Sequence, residues 1–451
     1  MKIVLVGAGS VQFGCGTLGD IFCSDRLKGS EITLHDINAK ALDAVLQTAK
    51  DSIEQNRLPF TVNATTNRRD AFTGADFIIS SIEVGNRFQL WDEDWKIPQQ
   101  YGVHQVYGEN GGPGGVFHAL RIIPPILDIV KDAMELCPGA YIFNYSNPMT
   151  AICTAVKRAY PEARFIGMCH EIGWLSRWLP RMLGMKHEDI YFKAAGLNHF
   201  SCMLEVKDKA SGKDLYPAVR AKAPGFFERE SGYSDVLDSY RATGILEESE
   251  QYEKKNADKK SRYEWADRKL IKFMLERYGL LPITTDSHFG EYLGWAWDVV
   301  DHRGILDFYD VYKVMLSQNT RHDIKLQTTE RVVPIIDGIL GDSGFEESAV
   351  NLQNNGLIED LPPWIAVEVP AIVGKDGVKG VHIRDMPKGY AALLRAYCGV
   401  YDLTAEAAIR KKKSFVIQAL LANPVVHQAS QIEAMVDRMI DQQGKWLGYL
   451  Q

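Results

Sequence analysis

The chain has 451 residues, 46% hydrophobic and 24% charged, with a formal net charge of −7 and a pI near 5.9. That length suits two domains, or one large domain with an extension, and the composition is that of an ordinary soluble globular protein. The acidic balance argues against nucleic acid or an anionic membrane as partner, and no apolar run of ~18 residues stands out as a membrane span. The seven cysteines, odd in number and without framework spacing, fit reduced thiols in a cytoplasmic protein.

In chain order, the run from Met1 to Val6 leads straight into Gly7-Ala8-Gly9 and reads as a buried first strand, not a targeting segment. Glu31 to His35, Phe77 to Ser81, Tyr141 to Asn144 and Arg164 to Met168 are further short apolar runs suited to buried parallel strands. Helical segments lie between them, including Asn38 to Asn56 and Gly115 to Leu136. This alternation predicts an α/β, doubly wound, Rossmann-like parallel sheet over residues 1–195. Residues 196–451 read as a mixed α+β catalytic and substrate domain, with strands at 201–207 and 364–372 and helices at 261–278, 306–319 and 403–421. The polar stretch 207–262, with Lys254-Lys255 and Lys259-Lys260, is a solvated surface or a flap over the site.

Gly7-x-Gly9-Ser10 sits between a strand and a helix start. There, glycines permit a tight turn and let the backbone approach a pyrophosphate. The third glycine of the usual fingerprint is replaced by Gln12. Asp36 closes the second strand at the distance expected of a group that accepts from ribose hydroxyls, which favours NAD over NADP. The alternative reading of Asp36 is a helix N-cap, and the two roles are compatible.

Cys169-His170-Glu171 follows the last strand of the first half, and Gly196-Leu197-Asn198-His199 comes thirty residues later. A thiolate and an imidazole suit a soft-to-borderline divalent metal. Asn144-Tyr145-Ser146-Asn147-Pro148 is a third polar loop at the same kind of strand end, and Asn147 is held extended by Pro148. Thr284-Thr285-Asp286-Ser287-His288 is either a capped helix start or part of the site.

With Gly108-Glu109-Asn110-Gly111-Gly112-Pro113-Gly114-Gly115, Ala119 to Pro124, and Glu291-Tyr292, these motifs resemble glycoside hydrolase family 4 in order, from residue 3 to about 295. The resemblance implies redox-neutral hydrolysis. The sugar is oxidised at C3 with NAD, and a divalent metal, typically manganese, eases loss of the C2 proton. The aglycone is then eliminated, water adds and the hydride returns. Carried over by motif, Cys169 and His199 would be the metal ligands. Gly7, Gly9, Ser10, Asp36 and Asn144 would hold NAD, and Asn147 and Glu171 the substrate. The general acid is His170 or Glu109, and the base is Asp267, which precedes Tyr278-Gly279, or Tyr263. The resemblance also implies a homo-oligomer, a dimer or tetramer, acting on a small glycoside.

The triplet Cys169-His170-Glu171 followed by Ile172 looks most like the α-galacturonidase type, and Trp91 stands where phospho-enzymes place an arginine. A uronate would need a donor such as Arg87 or Lys96. Other family 4 α-glycosidases (galactosidase, glucosidase, glucuronidase) are the alternatives within the family. Outside it stand a 2-hydroxy acid dehydrogenase on the same fold and a non-enzymatic NAD sensor.

Overall fold

The computed structural model describes residues 1–247, 249–256, 259–318 and 323–451. Its strands are β1 (Lys2–Val6), β2 (Glu31–His35), β3 (Thr61–Thr65), β4 (Phe77–Ser80), β5 (Tyr141–Asn144), β6 (Arg164–Gly167), β7 (Ile190–Leu197), β8 (Phe200–Asp208), β9 (Leu281–Pro282), β10 (Phe345–Gln353), β11 (Ala366–Gly374) and β12 (Gly377–Gly380). All twelve belong to one sheet, ordered β3-β2-β1-β4-β5-β6-β10-β11-β7-β8-β9, with β12 pairing β11. The six strands from β3 to β6 are parallel and the remainder join antiparallel. The Rossmann-like half is therefore as expected, with β3 as an added edge strand. The expected division at residue 195 falls inside β7, and the sheet crosses it without a break.

β1 shows why these short apolar runs become central strands. Ile3 and Leu5 enter the core under the helices Val11–Cys23 and Ala39–Asn56, while Val4 and Val6 enter the core under Gly112–Leu136. A strand buried on both faces has no polar positions to alternate. Each such side chain contributes roughly 1.5–3 kcal/mol by leaving water.

The helix Gly112–Leu136 has the length and mean hydropathy, 1.2, of a membrane span, yet 78% of its most apolar window is buried in the fold. It is a core helix. The buried Arg121 fastens it by donating to Asp94 Oδ1 at 2.8 Å and to Gln443 Oε1 at 2.7 Å. Removing one partner of such a pair costs about 3–5 kcal/mol.

Three expected helices are redrawn. The segment 261–268 is a loop, because Trp265 and Asp267 take left-handed φ values of 55° and 54°, and the helix starts only at Lys269. The span 403–421 is two helices, Lys388–Arg410 and Lys413–Leu421, broken where Lys411 is left-handed at φ 57°. The helix expected at 306–319 runs His302–Gln318, and residue 319 lies outside the described residues. Within 207–262 lie the helices Tyr216–Phe227, Tyr233–Thr243 and Ser249–Lys255, with Lys255, Lys259 and Lys260 exposed to solvent. Tyr233 packs edge-on to Phe308, at 4.8 Å between ring centres. Residues 248, 257 and 258 of that stretch lie outside the described residues.

Candidate active site

The site lies along the carboxyl ends of the central strands, where an open α/β sheet binds its ligands. At the end of β1, Gly7 has φ +84°, and a Cβ there would lie 2.0 Å from the Ser81 carbonyl oxygen. Only glycine fits the turn. Gly9 N–H donates to Asp36 Oδ2 and Asn38 N–H to Asp36 Oδ1, both at 2.8 Å. Asp36 therefore braces the glycine turn. The N-cap of the next helix is Asn38, which accepts from Ala41 N–H at 3.2 Å. Ser10 caps the helix Val11–Cys23 by accepting from Phe13 N–H at 3.3 Å. At the end of β5, the Asn144 amide donates to Ser146 O at 2.9 Å.

Beyond β6, Cys169 is half-buried, His170 exposed and Glu171 buried. Burial, then the charges of Glu368 and Glu171, push the Cys169 thiol well up, so a thiolate here needs a cation beside it. His199 is presented by the two-residue turn between β7 and β8 at φ 60°. Burial, aided by the neighbouring His288, takes its imidazole down to about 4, leaving it neutral with a lone pair to give. Among the described residues of these loops, five buried acceptors have no hydrogen-bond partner: Asn144 Oδ1, Asn147 Oδ1, Glu171 Oε2, Asn198 Oδ1 and His199 Nδ1. Orphaned polar atoms are costly, so such a set, all from these loops, suits a divalent cation and sugar hydroxyls. Among the described residues no three His, Cys, Asp or Glu side chains gather at metal-binding distance. A metal held by Cys169 and His199 would keep positions open for substrate.

The motifs of the two halves interlock through His288 and Glu291. The helix Asp286–Phe289 begins without a side-chain cap, so neither Asp286 nor Ser287 caps it. Asp286 Oδ1 accepts instead from Leu270 N–H, in the first turn of the helix Lys269–Tyr278, at 2.8 Å. His288 Nε2 meets Glu109 Oε2 at 3.2 Å and His288 Nδ1 meets Ser287 Oγ at 3.1 Å. The rings of His288 and His199 stand edge to face, 4.8 Å apart. Glu109 is also paired with Arg87 Nη2 at 3.0 Å. Burial opposes its charge, but the His288 hydrogen bond and the Arg87 cation hold Glu109 well below the usual carboxylate range. In this arrangement Glu109 accepts and does not donate. Glu291, fully buried, accepts from the backbone N–H groups of Glu109 and Asn110, fixing the glycine-rich loop. A Cβ on Gly111 would fall 2.6 Å from Glu291 Cβ.

The two candidates for the base differ sharply. Asp267 is buried and accepts from Ser287 N–H at 3.1 Å and Ser287 Oγ at 3.4 Å. Burial and the adjacent Asp286 push its carboxyl well up, and Asp286 itself is raised to about 7 by burial. Tyr263 is part-exposed, its hydroxyl donating to Asp238 Oδ2 at 2.6 Å and its face covered by Arg303 at 3.6 Å. Arg87 lies between the rings of Trp91 and Tyr312, at 5.0 and 5.1 Å, with Glu83 at 3.8 Å besides Glu109. Lys96 pairs with Asp92 at 2.9 Å.

Sequence reasoning missed Glu368, which accepts from Asn198 Nδ2 at 2.8 Å and Ser201 Oγ at 2.7 Å. Burial raises its carboxyl to about 6. The signal was available: a lone glutamate in the otherwise apolar run Ala366-Val367-Glu368-Val369.

The sequence profile described as "Family 4 glycosyl hydrolase" matches residues 2–185, and "Family 4 glycosyl hydrolase C-terminal domain" matches 194–426. An α-glucosidase of Erwinia rhapontici is 56% identical over 451 residues, covering 100% of this chain and 99% of that protein. An α-galacturonidase of Thermoanaerobacterium saccharolyticum is 24% identical over 453 residues, covering 94% and 92%. Among solved structures, a 6-phospho-α-glucosidase from gut microorganisms in complex with NAD and Mn2+ superposes with a TM-score of 0.79 at 19% identity. The match covers 99% of this chain and 98% of that one.

Proposed function

The chain belongs to glycosyl hydrolase family 4 and is a glycosidase, and we propose that it hydrolyses α-glucosides bearing no phosphate, using NAD and a divalent metal such as manganese. The observation that carries the sugar class is the pairing of the nearby cations. Arg87 is matched by Glu83 and Glu109, and Lys96 by Asp92, so a phosphate or uronate would have to break an existing ion pair to be held. The full-length likeness to an α-glucosidase supports the same choice. α-Galacturonides are the second reading, favoured by Cys169-His170-Glu171-Ile172.

Gly7, Gly9 and Ser10 would hold the NAD pyrophosphate, Asp36 the ribose and Asn144 the nicotinamide side. Cys169 and His199 would hold the metal. Bound there, the two groups supply reversible hydride acceptance and Lewis acidity. Asn147 and Glu171, each with an orphaned buried oxygen, orient the sugar hydroxyls. Asp267 takes the C2 proton, which is acidic once C3 is a ketone, and Ser287 fixes the carboxylate. His170, exposed at the rim, gives a proton to the leaving oxygen. Glu109, already ionised between Arg87 and His288, holds those two side chains in place.

The test is a kcat/KM comparison of p-nitrophenyl α-glucoside, α-galactoside, α-galacturonide and 6-phospho-α-glucoside, with NAD, manganese and a reductant present. The α-glucoside is expected to be cleaved best. A preference for the galacturonide or the phosphosugar overturns the reading.

A further inference from the structure

We propose that Glu368 is a positioning residue for the metal site, acting through Asn198 on His199. The inference rests on the assignment of Cys169 and His199 as ligands. In the sheet, one row of paired residues crosses four strands: Gly167 on β6, Asn351 on β10, Glu368 on β11 and Gly196 on β7. Gly167 lies two residues before Cys169, and Gly196 three before His199. The second half of the chain thus inserts two strands between the strands that lead to the ligands, and Glu368 is the charged residue of the row.

The contacts make the row a device for aiming side chains. Glu368 is 1% exposed and accepts from Asn198 Nδ2 at 2.8 Å, Ser201 Oγ at 2.7 Å and Asn351 Nδ2 at 3.4 Å. Asn198 is fixed on its other sides, its N–H donating to Thr150 Oγ1 and its carbonyl accepting from Tyr292 Oη, both at 3.1 Å. Asn198 immediately precedes His199 in the turn between β7 and β8. The asparagine beside one assigned ligand therefore has its amide set by the Glu368 carboxylate. A carboxylate at this depth also adds negative charge where a dication would sit. Partners of this kind, behind the ligands, commonly change metal affinity by about 10–100-fold.

The experiment measures Mn2+ binding to the full chain by the electron paramagnetic resonance signal of free Mn2+, and the sulfur-to-cobalt charge-transfer absorption of the Co2+ form. Glu368→Gln is expected to weaken Mn2+ about 10–100-fold and to diminish the cobalt band, with NAD affinity unchanged. Glu368→Asp should recover part of the loss. Mn2+ affinity within about twofold of wild type in Glu368→Gln overturns the proposal. If Glu368→Gln does not fold, Asn198→Ala carries the test, because it cuts the same link while leaving the carboxylate. Wild-type Mn2+ affinity in Asn198→Ala overturns the proposal equally. Cys169→Ser separates the two layers: if it retains Mn2+ affinity and the cobalt band, the ligand assignment fails on its own account.

Discussion

Replacing Asp267 by Asn removes the charge of the assigned base while keeping its shape. The Asn Oδ1 can still accept from Ser287 N–H, now 3.1 Å from the carboxylate, and its Nδ2 can donate to Ser287 Oγ, now 3.4 Å away. No buried group is orphaned. The change also removes the repulsion between the Asp267 and Asp286 carboxyls. Thermal stability should therefore hold or rise. A positioned base contributes about 10²–10⁴ in rate, equivalent to roughly 3–5 kcal/mol in the barrier. Asp267→Asn should lower kcat on p-nitrophenyl α-glucoside by that factor with NAD affinity intact. Tyr263→Phe is the control. It loses a surface hydrogen bond to Asp238, about 0.5–1.5 kcal/mol, and should leave kcat within about twofold. An Asp267→Asn enzyme within about threefold of wild-type kcat would refute the assignment, as would a hundredfold loss in Tyr263→Phe.

Gly7→Ala forces a Cβ to within 2.0 Å of the Ser81 carbonyl at φ +84°. The left-handed backbone alone costs about 1–2 kcal/mol, so NAD affinity by fluorescence titration should fall at least about tenfold while Mn2+ affinity holds; unaltered NAD binding sinks the cofactor placement. Asp286 has a carboxyl raised to about 7, so its protonated form is favoured by folding. That stability is complete below the unfolded value of about 4 and is lost as pH rises toward 7. The wild-type Tm should thus fall more steeply than that of Asp286→Asn between these values, and parallel curves would contradict the burial argument.

The parallel half of the fold was legible because strands buried on both faces leave unbroken apolar runs, as in Ile3 to Val6. β3 was not, because Thr61 to Thr65 sits at the sheet edge, with no fully buried residue and a polar sequence. The break at Lys411 carries no glycine or proline to announce it, so local pattern alone read 403–421 as one helix. Asp267 was readable as a candidate, but its burial depends on packing against Ser287 and Asp301, far along the chain. Motif order named the ends of the interlock, Glu109 and His288, without revealing that they touch. Glu368 stood out as a lone glutamate in an apolar run, but its partners come only from the insertion of β10 and β11 between β6 and β7.

The measurement that bears most directly on the central claim is hydrolysis of p-nitrophenyl α-glucoside in D2O, with NAD and manganese, followed by NMR of the glucose released. Deuterium at C2 is the expected result, because Asp267 removes that proton and solvent supplies its replacement. Glucose that retains protium at C2 after turnover would contradict hydrolysis through proton removal and elimination.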